Sequence, residues 1–177
     1  MTQNNTPSAP GGIWQVSFTS LPATIDEFRA SPMSALNEPQ HTAALTIAAL
    51  CAYPKDKTAA LDMLNHLKGP QPLSPYEMQF LADRLRGKDY VPASFFVGAT
   101  PENNYTPNEP FVLRVIETPH SRAQLSEGYL QLYIQSGGAD SPRPIKLRYK
   151  ASTNQWFLWE QMLLSDIRPP AASDPWN

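Results

Sequence analysis

The sequence has few residues of the kinds that carry metal and redox chemistry. Its 177 residues include one cysteine, Cys51, and three histidines. A single cysteine excludes an intrachain disulfide and a cysteine-based zinc cluster. Asp62 and His66 are four residues apart, as ligands on one helix face would be, but no second pair completes a metal site. We therefore predict no metal site and no cofactor.

A strong net charge and long apolar runs are also missing. The formal net charge is −2, which disfavours a general binder of nucleic acid or of a membrane surface. No apolar run reaches the length of about 20 residues that spans a bilayer. Residues 1–12 lack the basic and apolar regions of a signal peptide, and we expect a disordered leader there. The sequence thus predicts a cytoplasmic protein with a single folded domain at residues 13–177.

Catalytic motifs are missing as well. The chain has no Gly-x-Ser-x-Gly nucleophile elbow. Gly137 and Gly138 precede no predicted helix, so they do not form a phosphate-binding loop. Cys51 lies in an apolar stretch, whereas a reactive thiolate needs a polar, electropositive setting. No catalytic residue is predicted.

The N-terminal half carries helix-capping patterns. Thr24 with Glu27, and Ser74 with Glu77, have the spacing of capping boxes. Residues 42–53 are apolar nearly all round, which predicts a helix buried on most sides. These patterns predict three or four helices. A short strand precedes them, with its buried side formed by Trp14, Val16 and Phe18.

The C-terminal half alternates between apolar and polar residues, as strands with one buried face do. Residues 128–164 contain three such segments, and residues 111–118 form another. We predict an α+β fold whose N-terminal helices pack on a four-stranded antiparallel β-meander from the C-terminal half. Aligning the apolar faces of the central hairpin predicts its register. The expected pairs are Tyr133 with Lys146, Gln131 with Arg148, and Tyr129 with Lys150.

The polar face of this hairpin is the main candidate binding surface. Tyrosines beside cations can stack on flat groups and bind anions. The alternative is a solvated face with ordinary cross-strand pairs. The candidate binding residues are Tyr129, Gln131, Tyr133, Lys146, Arg148 and Lys150.

The last predicted strand is apolar on both faces. Trp156, Leu158 and Met162 share one face by alternation, and Phe157 and Trp159 share the other. An uncovered aromatic pair would form an exposed apolar patch of the kind that marks interfaces. We expect the proline-rich tail to cover part of it, with Trp176 docked back on the body, or a second subunit to do so. The candidate interface residues are therefore Phe157, Trp159 and Trp176.

The segment 88–110 is long, aromatic and interrupted by prolines. Long loops of this kind are often functional. The alternative is that its aromatic side chains pin the loop onto the helices or close the edge of the sheet. Those side chains are Tyr90, Phe95, Phe96 and Tyr105.

Three blocks of the sequence resemble a family of uncharacterised bacterial domains, found mostly in Firmicutes, to which no function is assigned. They are GKDYVP at 87–92 with GATPENNYTP at 98–107, SGGADSPR at 136–143, and QWFLWEQ at 155–161 with DPW at 174–176. The resemblance implies a bacterial, cytoplasmic, stand-alone domain and supplies no ligand. A looser similarity is to cone-shaped folds of the nuclear-transport-factor-2 type, which bears on fold and not on function.

Two functions are consistent with these features. The first is a non-enzymatic binding or protein-interaction module that uses the open sheet face and the 88–110 loop, with an unidentified protein or a second copy as partner. The alternative is a small-molecule-binding enzyme with a pocket between helices and sheet. A deep pocket with converging polar groups favours the enzyme, and a flat or covered sheet favours the interaction module.

Overall fold

The computed structural model of the protein describes residues 12–176, which form an α+β fold with five helices and a five-stranded antiparallel sheet. The helices are α1 (Ile25–Ala30), α2 (Pro39–Ala52), α3 (Lys57–Lys68), α4 (Pro75–Leu85) and α5 (Tyr90–Ala93). The strands are β1 (Ile13–Phe18), β2 (Phe111–Ile116), β3 (Tyr129–Ile134), β4 (Arg143–Lys150) and β5 (Gln155–Gln161). The predicted α+β class is confirmed.

The prediction of four strands was wrong, because β1 joins the same sheet. It pairs antiparallel with β2, and the strand order is β1-β2-β3-β4-β5. As predicted, Trp14, Val16 and Phe18 are its buried residues. All the helices lie between β1 and β2 in the sequence. The alternation of β1 therefore predicts a strand but not the sheet that it joins.

Helix α2 is the centre of the core. Twelve of its fourteen residues are buried, and it packs against α3 and against every strand of the sheet. Its alanines let these elements approach closely, as the apolar stretch 42–53 predicts. Cys51 belongs to this helix, and burial raises the pKa of its thiol to about 12. The thiolate is therefore not populated near neutral pH.

The capping box of α4 is confirmed. The Ser74 hydroxyl accepts a hydrogen bond from the Glu77 amide at 3.1 Å, and the Glu77 carboxylate accepts one from the Ser74 amide at 2.8 Å. We expect Ser74→Ala to lower the free energy of unfolding by about 1 kcal/mol, because a backbone donor loses its partner. Urea denaturation checks this value. An unchanged midpoint would contradict the importance of the cap.

The predicted register of the β3–β4 hairpin was wrong by two residues. Tyr129 lies opposite Arg148, and Gln131 lies opposite Lys146. A two-residue shift leaves every side chain on its predicted face, because the side-chain period of a strand is two. The alternation therefore determines which residues face the core but leaves the pairing open.

Strand β5 contains a bulge that reverses its alternation. Leu158 lies opposite Leu147, but Glu160 lies opposite Lys146, so Trp159 is the extra residue. Beyond the bulge the faces exchange, and Met162 is 57% exposed. The prediction that Met162 shares the buried face of Leu158 was wrong for this reason.

The outer edge of β5 is closed by the helical layer. The Trp156 amide donates to the Leu36 carbonyl at 2.7 Å, and the Thr42 hydroxyl donates to the Trp156 carbonyl at 2.7 Å. The Lys68 ammonium donates to the Trp159 carbonyl at 3.0 Å. Covering an edge in this way prevents it from pairing with another strand.

Candidate functional site

The face of the sheet that points away from α2 is open. Along β3, Leu130, Leu132 and Ile134 are buried, whereas the alternate residues are only partly buried. The same alternation in β4 leaves Arg148 and Lys150 exposed. Helices therefore cover one side of the sheet, and the other side is in contact with solvent, as the polar alternation predicts.

Four side chains of the open face form one cluster, which we call the aromatic–cation cluster: Tyr129, Lys146, Arg148 and Trp159. The Arg148 guanidinium carbon lies 4.8 Å from the centre of the Tyr129 ring and 5.0 Å from that of Trp159. The two rings meet edge to face, with centres 5.5 Å apart. The Lys146 ammonium lies 5.1 Å from the Tyr129 ring centre. Cation–π geometry and a hydrogen bond from Arg148 to the Tyr129 hydroxyl hold the guanidinium in place.

The cations of this face have no acidic partner. Within residues 12–176, no carboxylate oxygen lies within 4.0 Å of Lys146, Arg148 or Lys150. Glu160 lies opposite Lys146 across the strands but forms no ion pair with it. Arg114, on the same face of β2, is also exposed and forms no ion pair with any residue that the structure describes. The open face is therefore locally positive in a chain whose net charge is −2.

The remaining predicted binding residues lie at the borders of the cluster. The Gln131 side-chain amide donates to the Tyr133 hydroxyl at 2.8 Å, so these two residues partner each other. Lys150 is exposed beyond Arg148 on β4. The predicted set of six thus divides into three cluster members, one polar pair and one border cation.

Trp159 is the cluster residue that sequence reasoning assigned to a different role. It was expected at an interface and not among the binding residues. The bulge places its ring beside Tyr129 and Arg148. An alternating sequence does not reveal a bulge. The sequence feature that pointed towards this arrangement was the presence of two aromatic residues, Phe157 and Trp159, on an otherwise polar face.

A groove borders the cluster where the turn after α3 meets the outer part of β4 and β5. Its volume is about 530 Å³. The aromatic side chains that line it are Tyr149, Phe157 and Trp159, and the cations are Lys68, Arg148 and Lys150. Lys68 is already paired with Glu77 at 2.7 Å. The groove therefore combines an apolar lining with two of the cations of β4, Arg148 and Lys150.

The prediction that Trp176 docks on the body was wrong, since its side chain is 93% exposed. The tail is held on another part of the molecule. The Arg168 amide donates to the Gly138 carbonyl at 2.9 Å, and the Arg168 carbonyl accepts from the Tyr105 hydroxyl at 2.5 Å. Phe157 is instead covered by the turn after α3, where a Cβ on Gly69 would overlap its ring.

A second cavity lies between α3, α4 and β5, where the alternative function requires a pocket. It has a volume of about 250 Å³ and is mostly apolar. Its lining includes the buried Lys68 and the partly buried Glu77, which already bind each other. Burial alone would raise the pKa of Glu77, but hydrogen bonds from Lys68 and Ser74 outweigh burial and lower it. Lys68 and Glu77 are therefore held in an ion pair inside the cavity.

The aromatic residues of segment 88–110 point inward. Phe95, Phe96 and Tyr105 are almost fully buried. Tyr90 stacks on Tyr105 with ring centres 5.5 Å apart. Phe96 forms a bridge with Leu113 beside β2. These contacts agree with the interpretation that the loop is pinned to the body, so the loop plays no part in the proposals below.

Residues 12–176 lack the features of a metal site and of a membrane-spanning helix. That part of the chain contains no group of three or more His, Cys, Asp or Glu residues arranged to hold a metal ion. None of its helices is both long and apolar enough to cross a bilayer.

Comparison with known proteins identifies the family but no activity. Residues 20–171 match the model of a family described as a domain of unknown function, DUF6935. No curated protein and no solved structure matches the chain. The family match confirms the resemblance to an uncharacterised domain family, while the bacterial source and the cytoplasmic location stay predictions.

Proposed function

We propose that this chain, which belongs to the DUF6935 family of domains of unknown function, is a binding module for an acidic segment of a partner protein. The observation that carries the proposal is the Arg148 guanidinium, which lies against both the Tyr129 and Trp159 rings and has no carboxylate partner among residues 12–176. One of its N–H groups donates to the Tyr129 hydroxyl, and the remaining donors are available for an incoming carboxylate.

The composition of the face supports a protein partner. Free cations alone would suit any anion, but the groove beside them is lined by Phe157 and Trp159. Interfaces between proteins are enriched in aromatic residues and arginine in this combination. The chain as a whole is slightly acidic, which disfavours long polyanions such as nucleic acids. We expect the partner to combine carboxylates for Arg148 and Lys146 with an apolar side chain for the groove.

Charge reversal on the open face tests the proposal. The probe is a short peptide in which glutamates flank a phenylalanine, titrated into the full chain by calorimetry at low ionic strength. We expect Lys146→Glu with Arg148→Glu to weaken binding by about tenfold or more, because attraction becomes repulsion. Added salt should weaken binding to the unaltered chain, since the cations are solvent-exposed. Thermal denaturation should show little change, because each exposed cation–π contact that is lost contributes only about 0.5–1 kcal/mol.

The matched control reverses two cations on the helical side, Lys57→Glu with Lys88→Glu, and changes the net charge by the same amount. Binding to this control should be weakened far less than binding to the open-face variant. Equal losses in both variants would mean that only net charge matters. A probe that fails to bind the unaltered chain, or that binds the open-face variant equally well, would contradict the proposal.

The cavity between α3, α4 and β5 is the basis of the alternative function, in which a small molecule binds between helices and sheet. Its one buried cation, Lys68, is neutralised by Glu77, so the cavity offers less to a charged ligand than the open face does. Phe80→Ala separates the two sites, because Phe80 lines the cavity and not the groove beside the cluster. Peptide binding that is lost in this variant but survives the open-face charge reversal would assign the function to the cavity.

A further inference from the structure

Residues 174–176, which we call the tail segment, place an aromatic ring in solvent beside a carboxylate. The Trp176 side chain is 93% exposed, and its backbone amide donates to Asp174 Oδ1 at 2.9 Å. This bond forms an Asx turn, which holds the carboxylate and the indole ring close to each other. The Asp174 carboxylate forms no ion pair with any residue that the structure describes. The tail segment therefore offers a carboxylate and an uncovered indole together.

The open face of the sheet carries the complementary groups. Arg148 belongs to the aromatic–cation cluster and also lines the groove beside it, so a carboxylate bound to Arg148 lies next to the groove. Phe157 and Trp159 give the groove an aromatic lining, against which an indole packs favourably. The groove volume of about 530 Å³ falls within the range of about 300–1,000 Å³ that is typical of ligand pockets. The tail segment thus has the acidic and apolar features that the proposed function requires of a partner.

Other segments of this chain match that requirement less well. Among the residues that the structure describes, the other exposed aromatic side chain is Tyr76. Its neighbour Glu77 is already bound to Lys68 at 2.7 Å. Residues 1–11 and 177, which lie outside the described part, contain no aspartate or glutamate. The tail segment is therefore the part of the chain that combines an exposed aromatic ring with an available carboxylate.

Within one copy of the chain the tail segment does not occupy the groove. Among the described residues that line the groove, none belongs to the tail segment. Arg168 ties the preceding residues to the turn between β3 and β4 through hydrogen bonds to Gly138 and Asp140. Arg148 lies towards the other end of this hairpin, about 17 Å along β4 from Arg143. The groove of one copy is therefore open to the tail segment of another.

We propose that the tail segment of one copy of this chain binds the groove and Arg148 of a second copy. The inference rests on the proposed function and names its partner. The Trp176 indole enters the groove against Phe157 and Trp159. The Asp174 carboxylate accepts hydrogen bonds from the Arg148 guanidinium. In a two-fold arrangement the copies exchange tail segments, so the dimer contains two identical contacts and closes on itself.

Trp176→Ala tests the role of the tail segment. Sedimentation equilibrium of the full chain at low ionic strength measures the dissociation constant of the dimer. We expect Trp176→Ala to raise this constant about tenfold or more, because each contact loses its apolar anchor. The matched control is Tyr76→Ala, which removes a ring that is also exposed, at 78%. It should leave the dissociation constant unchanged, since Tyr76 lies outside the groove and the tail segment.

Mixing two variants tests which surfaces meet. Trp176→Ala keeps its groove but lacks the indole, whereas Arg148→Glu keeps its tail segment but lacks the cation. Each variant alone therefore forms no complete contact, but a mixed pair forms one. We expect the mixture to associate more tightly than either variant does alone.

Three results would overturn the proposal. They are a chain that stays monomeric at about 1 mM, a dimer that Trp176→Ala leaves intact, and a mixture that associates no more than its components. The peptide in which glutamates flank a phenylalanine separates this failure from failure of the proposed function. If that peptide binds a chain that stays monomeric, the proposed function stands and the second copy is not its partner. If it does not bind the monomeric chain, both proposals are wrong.

Discussion

Replacing Gly137 by alanine is expected to lower the free energy of unfolding by about 3 kcal/mol, the upper end of the usual cost of overpacking. A Cβ at this position would overlap the carbonyl oxygen of Ala99 and lie 3.1 Å from its carbonyl carbon. Both atoms belong to the backbone, so no side-chain rotation can relieve the overlap. The Gly137 amide also donates to the Ser94 carbonyl at 2.9 Å. The turn therefore cannot move away from segment 94–99 without breaking that bond.

The control is Gly87→Ala. Gly87 has a φ of +67°, and a Cβ there would have no atom within 4 Å. Gly87→Ala should lower the free energy of unfolding by about 1 kcal/mol, because alanine is strained in a left-handed conformation. Urea denaturation of both variants measures the difference. If Gly137→Ala is no less stable than Gly87→Ala, the turn does not pack against Ala99 as closely as described.

Features that depend on neighbouring residues in the sequence were predictable. The capping box of Ser74 and Glu77 needs only residues three apart, and it forms as predicted. The buried face of β1 follows from strict alternation. Most of the open face was predictable for the same reason, because Tyr129 and Arg148 keep their faces under any even shift of register.

Features that depend on distant contacts were not predictable from local patterns. The β3–β4 register depends on the turn at 136–142, and that turn is positioned by Ser94 and Ala99, far away in the sequence. Trp159 joins the cluster through a bulge, which alternation cannot reveal. Arg168 forms hydrogen bonds with Gly138 and Tyr105, and these bonds direct the tail away from β5. Contacts between residues that are distant in the sequence therefore hold the turn and the tail in place.

Leu36 provides the second large effect. Its side chain is fully buried, and its φ of 58° is left-handed, which is unusual for leucine. Leu36→Ala should lower the free energy of unfolding by about 3 kcal/mol through the cavity it creates. Leu36→Gly removes slightly more side chain but avoids the cost of a left-handed residue with a Cβ, which is about 1–2 kcal/mol. We therefore expect the glycine variant to be more stable than the alanine variant by about 1 kcal/mol.

The control is Leu45, which is also fully buried but lies within helix α2. Within a helix alanine is favoured over glycine, so Leu45→Gly should be about 1 kcal/mol less stable than Leu45→Ala. Denaturation midpoints of the four variants give both differences. If the alanine variant were more stable than the glycine variant at both positions, the left-handed geometry of Leu36 would be contradicted. That geometry directs the Leu36 carbonyl to the Trp156 amide, so a more stable glycine variant at position 36 would also support the closed edge of β5.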